Sequence, residues 1–359
     1  MDITVKTVAD LSGAECEAWQ AFQAADPDLH SPYFSLGFAR ACAAVRQNVR
    51  VAIVRNNHAI KAFLPFHRRP LGYSLPLGGP LGDFHGLIAE PGLALNLRQI
   101  MRAARMSVYP FEFVPAAQSS FTSVVREQKD CHVADLCQGY DHWYEDRMAA
   151  HKKSLKKYEA KARKLGKEHG ELQFTGDDRD PAAFAKLLAW KSAQYHATGF
   201  FDVFSVPWTG ALLKTIHQSK DDAFAGQLST LRAGKTLVAA HFGMKSAGAA
   251  HYWFPAYDPD FSLYSPGHTL MFKLLQYHAG AEVQQVHLGV GDFRYKHQFG
   301  GQMLSLCSGT AMAPSFAAGL RQCAQGVQNG FEALPLGPVS RLPGRVLRRM
   351  DRMMAFRPA

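Results

Sequence analysis

The chain has 359 residues, of which 47% are hydrophobic and 19% are charged, and its net charge is +10. This length favours two domains, and the composition is that of a globular protein with ample material for a core. The positive charge favours anionic partners, namely nucleic acid, a membrane surface or phosphate-bearing small molecules. No stretch approaches the roughly 18 apolar residues of a membrane span. No secretory signal is visible either, so we expect a cytoplasmic protein.

The spacing of the metal-binding residue types argues against a metal site. The six cysteines form no CxxC pair, and the sixteen histidines show no HExxH spacing. Scattered cysteines in a cytosolic chain stay reduced. We therefore interpret them as structural thiols and expect no metal.

The first predicted element is a β-hairpin around residue 51. There the sequence VAIVRNNHAIKAFLPFHRR holds two apolar runs on either side of Asn56-Asn57. Further on, GGPLGDFHGL places Asp83 directly after a glycine in an apolar stretch. We interpret Asp83 and His85 as part of a polar substrate site in a cleft between domains, where ligands commonly bind. Residues 90–115 then contain Pro-Gly, a helical pattern and a short apolar strand.

Two segments concentrate the positive charge. Residues 151–170, HKKSLKKYEAKARKLGKEHG, carry eight Lys or Arg against two Glu. The tail over 341–357 carries six Arg and one Asp. Both could lie against an anionic membrane, and the simpler alternative for each is a solvated basic face of a helix.

The second half of the chain predicts further helices and strands. Apolar residues at helical spacing predict a helix over 180–198, and a second helix over 268–279 starts directly after Pro266-Gly267. The predicted strands cover residues 227–231, 236–244, 249–256 and 283–288.

The turn that follows the last strand concentrates polar chemistry. It reads LGVGDFRYKHQFGG and combines glycines with Asp292, Tyr295, Lys296 and His297. Glycines permit unusual backbone angles, and the other residues can exchange protons. Composition alone leaves open whether this is an active-site turn or a basic turn at the end of a strand.

The two halves of the chain repeat one pattern. LSTLRAGKTLVAAHFGMKS, around residue 228, resembles the first hairpin, with Ala233-Gly234 at its turn. Residues 265–290 repeat the order Pro-Gly, helix, strand with similar spacing. Such a repeat decides the architecture, so we predict an α/β fold of two copies of one unit. Only the second copy continues into an Asp-x-x-Tyr-Lys turn, which favours an active-site turn there.

The order of these motifs resembles a known family. WxxAYD, PGxxLxxxxLxxxA and LGxGDxxYKxxFG follow one another, and the resemblance covers about residues 150–310. The chain is similar here to GNAT-superfamily acetyltransferases of the CelD/BcsL-like kind from cellulose biosynthesis, which are distant relatives of the FemAB peptidyltransferases. Relatives often have Asp in place of His287 and Arg in place of Val290. The matching residues are Trp253, Ala256, Tyr257, Asp258, Pro266, Gly267, Leu270, Gly289, Gly291, Asp292, Tyr295, Lys296 and Phe299.

The resemblance implies tandem GNAT-like domains, each a mixed twisted sheet flanked by helices. We expect an N-terminal domain over 1–145, a C-terminal domain over 146–312 that binds acyl-CoA and catalyses, and a basic extension over 313–359. In such folds the acyl-pantetheine arm lies between two diverging parallel strands, here 249–256 and 283–288.

The expected co-substrate is acetyl-CoA or another acyl-CoA. A helix start has free N–H groups and a partial positive charge, which together bind phosphate. The structural alternative is an ordinary helix start. Lys296 could hold a phosphate or a sugar carboxylate, or form an ion pair with Asp292. The expected donor-binding residues are Pro266, Gly267, His268, Thr269, Leu270 and Lys296.

An attacking amine needs a base, because it is protonated near neutral pH. Asp292 is the first candidate, with His251 and His287 as alternatives, although either histidine could instead be a buried core residue. Tyr295 could protonate the leaving thiolate, or it could be a packed tyrosine. Trp253 and Tyr257 could stack against a sugar or the pantetheine arm, or belong to the core, and Asp258 is grouped with them as a substrate-binding residue.

We therefore expect an acyl-CoA-dependent N-acyltransferase, with an N-acetyltransferase as the first expectation. Its acceptor would be an amino sugar or similar amine of exopolysaccharide or envelope glycan synthesis, including a lipid-linked sugar. Its location would be the cytoplasm, with peripheral contact at the inner face of the membrane as an option. Two alternatives remain: a FemAB-like transferase that uses aminoacyl-tRNA, and a non-catalytic scaffold that binds a polysaccharide synthase or nucleic acid. No recognised nucleic-acid motif appears in the sequence.

Overall fold

The computed structural model describes residues 1–246, 248–314 and 356. The arginine-rich tail and most of the expected extension over 313–359 lie outside the described residues. The strands are, in chain order, β1 (Asp2–Lys6), β2 (Val49–Asn56), β3 (Ala59–Arg68), β4 (Ser74–Pro76), β5 (Ile88–Ala89), β6 (Val108–Pro115), β7 (Val125–Asp135), β8 (Leu172–Thr175), β9 (Lys220–Asp221), β10 (Phe224–Ala233), β11 (Thr236–Ser246), β12 (Ala249–Tyr257), β13 (Gln285–Val290) and β14 (Gln302–Met312). The α-helices are α1 (Gly13–Ala25), α2 (Leu36–Val45), α3 (Leu97–Ala103), α4 (Gly139–His169), α5 (Pro181–Thr198), α6 (Pro207–Gln218), α7 (Pro266–Gly280) and α8 (Arg294–Phe299).

The chain forms two compact units that interleave along the sequence. The first unit contains residues 1–26, 39–128 and those described from 306 onward, and the second contains 27–38 and 129–305. In the first unit β1, β2, β3 and β4 follow one another in an antiparallel sheet, and β5 also pairs with β3. Strand β6 pairs with the last part of β14.

The first predicted hairpin is confirmed, but its turn lies one residue later than expected. Strand β2 ends at Asn56, and Asn57 and His58 form the turn with φ angles of 48° and 67°. Positive φ at both central residues is the geometry of a type I′ turn, which matches the twist of the flanking strands. Asparagine adopts left-handed backbone angles at little energetic cost, so Asn57 suits the first central position of this turn.

The two Pro-Gly pairs differ in their structural roles. Helix α7 starts at Pro266, whereas α3 starts only at Leu97, well after Pro91-Gly92. Gly92 has a φ of 73°, a left-handed conformation that a residue within a right-handed α-helix does not adopt. Helix α3 starts where the side chain of Asn96 accepts a hydrogen bond from the Gln99 amide. The two copies of the predicted repeat therefore differ at this point: the helix of the second copy begins at Pro-Gly, and the helix of the first copy does not.

The second unit contains a mixed sheet with strand order β7, β13, β12, β11, β10, β8, and β9 also pairs with β10. Its neighbours are antiparallel except for β12 and β13, which are parallel because α7 connects them as a crossover. The strands and helices predicted for this half of the chain are confirmed within a few residues. The α/β class with mixed twisted sheets is also confirmed.

The basic segment belongs to the long helix α4. The backbone departs from helical geometry at His151, where φ is −133° and ψ is 26°. Leu155 and Leu165 on α4 are fully buried, and each belongs to an apolar cluster that includes residues of α7. One face of α4 is therefore packed against α7 within the second unit, and most of the lysines of α4 are exposed. None of the helices within 1–246 and 248–314 is long and apolar enough to cross a membrane.

Candidate active site

Strands β12 and β13 separate after a short paired stretch. Their pairing is limited to the first residues of each strand and ends at His251 opposite His287. Strand β12 then continues to Tyr257 and β13 to Val290. A gap therefore opens between two parallel strands toward their C-terminal ends.

Bulges in both strands explain this separation. On β12, Tyr252 and Trp253 together face the single residue Gly243 of β11. On β13, Leu288 and Gly289 together face one residue of β7, and Gly289 has a φ of 77°. A bulge bends its strand and increases its twist. Two bulges at the same level turn β12 and β13 away from each other just beyond His251 and His287.

A buried histidine holds the backbone at the β12 bulge. The Trp253 amide donates to Nε2 of His241 over 3.2 Å. His241 is 2% exposed, and its ring stacks on Tyr252 with 4.3 Å between ring centres. Burial, followed by the nearby charges of His278 and His251, lowers the pKa of His241 well below its usual value. The ring is therefore neutral, which leaves Nε2 able to accept this hydrogen bond.

The first turn of α7 is open to a ligand. The residue before it, Ser265, has left-handed backbone angles and makes no capping hydrogen bond with its side chain. Among the described residues, a methyl group at Gly267 would have only the Tyr257 ring nearby, at 3.8 Å. Oγ1 of Thr269 is buried and has no hydrogen-bond partner within the described part of the chain. The His268 amide donates to the Ser265 carbonyl over 3.0 Å, so the Gly267 amide and the Thr269 hydroxyl are the donors that suit an anion.

Helix α4 places a cation beside the same turn. Nζ of Lys161 donates to Oγ of Ser265 over 2.8 Å. The ring of His268 stacks on Tyr158 with 3.8 Å between ring centres. Burial, followed by the charge of Lys161, lowers the pKa of His268 to about 4. Near neutral pH the positive charge at this turn is therefore that of Lys161 and not of His268.

The gap and the start of α7 lie at the same edge of the sheet. Strand β12 ends at Tyr257 and leads directly into the segment before α7, and β13 runs parallel to β12. The C-terminal ends of both strands therefore lie at the edge where α7 begins. The tyrosine at this edge, Tyr257, is 43% exposed.

The turn after β13 folds partly into α8 and forms an Asp–His pair. Oδ1 of Asp292 lies 2.6 Å from Nε2 of His297, and the Asp292 side chain is 94% exposed. Lys296 is buried, and its ammonium donates to the Val290 carbonyl over 2.7 Å and lies 5.4 Å from the centre of the Phe293 ring. Asp292 is therefore paired with His297, and Lys296 stabilises the bent end of β13.

The other three candidate catalytic residues are less accessible. His251 and His287 are 1% and 2% exposed, and the ring of Tyr33 packs edge-on against His251. Burial, followed by the charges of His251 and His30, lowers the pKa of His287 to about 3. Tyr295 is half-buried, with its ring centre 6.4 Å from that of Tyr252.

The predicted substrate residues are divided between the two units. Trp253 is half-buried and stacks on Phe254, and Tyr257 is exposed. Asp258 accepts a hydrogen bond from the Asp260 amide, and Oδ2 of Asp258 lies 3.6 Å from Nζ of Lys186.

Asp83 and His85 lie in the first unit. His85 is buried, its Nδ1 bonds to the Glu112 carbonyl, and burial lowers its pKa to about 4. The nearby charge of Asp83 acts in the opposite direction. Their role in substrate binding stays a prediction.

Two residues of this site could not be selected from the sequence. Lys161 is one of many lysines in its segment, and only the fold places it beside Ser265. His241 depends on a bulge, which no periodic pattern reveals. His297 could have been found, because it follows Asp292 within the same polar turn.

The chain matches a family model at this site. Residues 152–297 match the family described as "Acetyltransferase (GNAT) domain". This match contains β12, α7, β13 and the Asp292–His297 pair. It confirms the GNAT part of the resemblance and supports an acyltransferase, and GNAT domains generally use an acyl-CoA donor and an amine. No protein of curated function matches the chain.

The fold is similar to those of several solved structures. FemX has a TM-score of 0.56 at 11% identity, covering 86% of this chain and 96% of its own. The C-terminal domain of a putative lysylphosphatidylglycerol synthetase from Agrobacterium fabrum has a TM-score of 0.52 at 13% identity, covering 88% and 97%. A conserved protein of unknown function from Bacteroides thetaiotaomicron has a TM-score of 0.52 at 10% identity, covering 86% and 100%. These coverages show that the similarity of fold extends over both units.

Proposed function

We propose that the protein is an acyl-CoA-dependent N-acyltransferase, with acetyl-CoA as the expected donor. Its acceptor is an amino sugar or similar amine of exopolysaccharide or cell-envelope glycan synthesis. The observation that carries this proposal is the gap between β12 and β13, with the uncapped first turn of α7 at the same edge of the sheet. The CelD/BcsL-like resemblance, which stays a prediction, supports the choice of acceptor.

The residues at the start of α7 fit the phosphate part of coenzyme A. The buried, unpartnered hydroxyl of Thr269 and the open position at Gly267 leave room and a donor for an anion. Lys161 adds a positive charge beside Ser265. Helix starts bind phosphate through N–H groups and the helix dipole. These residues would hold the diphosphate, and the gap between the strands would hold the pantetheine arm.

The bulge in β12 suits the reacting carbonyl. When bound, an acyl-CoA supplies a thioester carbonyl that an amine can attack. Backbone N–H groups that point at the developing negative charge stabilise such a reaction. The Trp253 amide is held by His241, so the neighbouring amide of Tyr252 is the better candidate donor. A rigid, buried bulge keeps that donor in place during the reaction.

The Asp292–His297 pair is the favoured proton acceptor for the attacking amine. Its accessible imidazole is oriented by a carboxylate, and this combination makes a histidine an effective base. The pKa of His287, about 3, makes it a weak base near neutral pH. Tyr295 follows Asp292 in the same turn and is the candidate proton donor to the leaving thiolate.

The proposed acceptor site includes the aromatic residues on β12. Tyr257 is exposed beside the start of α7, and Trp253 lies at the bulge. Aromatic rings of this kind stack against sugars. The exposed lysines of α4 could hold the protein at an anionic membrane surface, where a lipid-linked acceptor would lie.

An aminoacyl-tRNA donor is the alternative that FemAB-like proteins suggest. The fold similarity to FemX is compatible with it. However, Leu155 and Leu165 pack α4 against α7 within the second unit, so α4 is not a free helical arm. The structure therefore favours the acyl-CoA donor.

Release of free thiol from acetyl-CoA tests the proposed reaction. We expect release with glucosamine or a nucleotide-linked glucosamine as acceptor, and none with the corresponding N-acetylglucosamine, because that compound lacks the free amine. Mass spectrometry should show the acetylated acceptor. Absence of transfer to every amine, together with transfer from an aminoacyl-tRNA, would contradict the proposal.

A further inference from the structure

One face of α4 carries a continuous stripe of cations. From residue 152 to its end the helix is regular, because its departure from helical geometry is at His151. At about 100° per residue, the seven exposed Lys and Arg side chains of this stretch fall within an arc of about 140° of the helix circumference. We call this arc the basic stripe. It consists of Lys152, Lys153, Lys156, Lys157, Arg163, Lys164 and Lys167.

The basic stripe faces away from the rest of the second unit. Leu155 and Leu165 are fully buried in apolar clusters that include residues of α7. On the helix circumference, the centre of the stripe is about 170° from the midpoint of these two leucines. The packed face therefore holds α4 in place and leaves the stripe outermost. At 1.5 Å of rise per residue, the stripe is about 22 Å long.

The carboxylates of the same stretch lie at the two margins of the stripe. Nζ of Lys156 donates to Oε2 of Glu159 over 2.9 Å, and Nζ of Lys164 lies 3.8 Å from Oε1 of Glu168. The other four lysines of the stripe form no ion pair with the described residues, so the stripe keeps a net positive charge after this local pairing. These four are Lys152, Lys153, Lys157 and Lys167.

An exposed leucine lies beside the basic stripe. Residues 259–264 run alongside the C-terminal half of α4, where Nζ of Lys164 lies 5.9 Å from the centre of the Tyr264 ring. Phe261 and Tyr264 pack against the apolar cluster under this part of α4. Leu263, between them, is 78% exposed. An apolar side chain next to a row of cations is typical of a surface that lies in the membrane interface.

A lipid bilayer suits this surface better than a nucleic acid does. Six of the seven cations are lysines, which are compact point charges, whereas arginine is the usual residue for bidentate binding of nucleic-acid phosphates. Anionic head groups attract lysines near the membrane surface without such geometry. A nucleic acid would gain nothing from Leu263, whereas a bilayer can bury its side chain among the acyl chains.

We propose that the basic stripe and Leu263 form a docking surface for a membrane that contains anionic lipids, with α4 lying along the plane of the bilayer. The chain continues from Leu263 through Ser265 into the first turn of α7. The edge of the sheet where the proposed site opens therefore lies next to the bilayer. A lipid-linked amine then reaches the site without leaving the membrane. This last statement rests on the proposed function, whereas the docking itself does not.

Sedimentation of the full chain with lipid vesicles tests the docking surface. We expect binding to vesicles of phosphatidylcholine mixed with phosphatidylglycerol, and none to phosphatidylcholine alone. The triple variant Lys153→Gln, Lys157→Gln, Lys167→Gln should weaken this binding at least tenfold, because each basic residue near an anionic surface contributes to the attraction. Its matched control is the triple variant Lys214→Gln, Lys220→Gln, Lys235→Gln. The control removes the same charge from exposed positions outside the stripe and should bind nearly as the wild type does.

A second pair of variants tests the exposed leucine. Leu263→Asn should weaken vesicle binding at least threefold, because the bilayer no longer buries an apolar side chain. Leu71→Asn is the control, since Leu71 of the first unit is 86% exposed and is not next to the stripe in the chain. It should leave vesicle binding unchanged. All four variants change exposed side chains, and thermal unfolding verifies that each is folded.

Three results would overturn the docking proposal. They are equal binding to both kinds of vesicle, equal loss in the two triple variants, and binding of RNA or DNA through the stripe without binding of vesicles. The vesicle experiment contains no acetyl-CoA and no acceptor. A protein that binds vesicles but transfers no acetyl group would therefore contradict the proposed function alone, and an active protein that ignores vesicles would contradict the docking surface alone.

Discussion

Replacing Gly267 with aspartate is expected to raise the KM for acetyl-CoA at least tenfold without lowering the melting temperature. A tenfold change corresponds to about 1.4 kcal/mol of binding free energy. The side chain fits, because only the Tyr257 ring lies near the position of its Cβ, at 3.8 Å. A carboxylate in the first turn of a helix also favours the helix itself. The same carboxylate would repel the diphosphate of the donor, so binding and stability should change in opposite directions.

Gly280→Asp is the control for this prediction. Gly280 is in the last turn of α7, and nothing lies within 4 Å of the position of its Cβ. An aspartate there is unfavourable for the helix dipole and lies far from the proposed donor site. This variant should lose a little stability and keep the wild-type KM. Steady-state kinetics and thermal unfolding of both variants measure the effect, and an unchanged KM in Gly267→Asp would contradict the assignment of the donor site.

Replacing Asp292 with asparagine is expected to reduce kcat by about 10²–10⁴-fold, the usual contribution of a general base. The KM for acetyl-CoA should change little, because Asp292 is not placed at the start of α7. His297→Gln should cause a similar loss, since the two side chains act as one pair joined over 2.6 Å. The double variant should then be hardly worse than either single one, because groups that act as a unit are not additive.

Asp260→Asn provides the matched control for Asp292→Asn. Asp260 is exposed and lies in the segment that joins β12 to α7. The Asp260→Asn substitution removes one surface carboxylate near the same edge of the sheet and should leave kcat unchanged. If Asp292→Asn is as active as this control while His287→Gln is inactive, the base belongs to the paired first residues of β12 and β13 and not to the turn.

The sequence predicted those parts of the fold that depend on local pattern. Apolar runs on either side of a short turn located the hairpin strands of both units, and Pro266-Gly267 marked the first turn of α7 because proline is favoured there. The same pair at Pro91-Gly92 was misleading, because Asn96 provides the better helix start. A local pattern therefore identified the elements more reliably than it identified their first residues.

The site itself depended on tertiary geometry that a sequence pattern does not encode. The gap results from bulges at Tyr252–Trp253 and Leu288–Gly289, and a bulge is a matter of register between strands. Segment 27–38 belongs to the second unit although the chain around it belongs to the first. Its Tyr33 packs on His251, a contact between residues more than two hundred positions apart. Such contacts become visible only once the chain is folded.

Amide hydrogen exchange with and without acetyl-CoA tests the central claim most directly. We expect slower exchange in residues 252–257 of β12 and in 266–271 at the start of α7 when acetyl-CoA is bound. Exchange in residues 224–227, at the start of β10, should remain unchanged. Protection confined to other parts of the chain, or no protection at saturating acetyl-CoA, would contradict the claim that the donor lies between the separated strands.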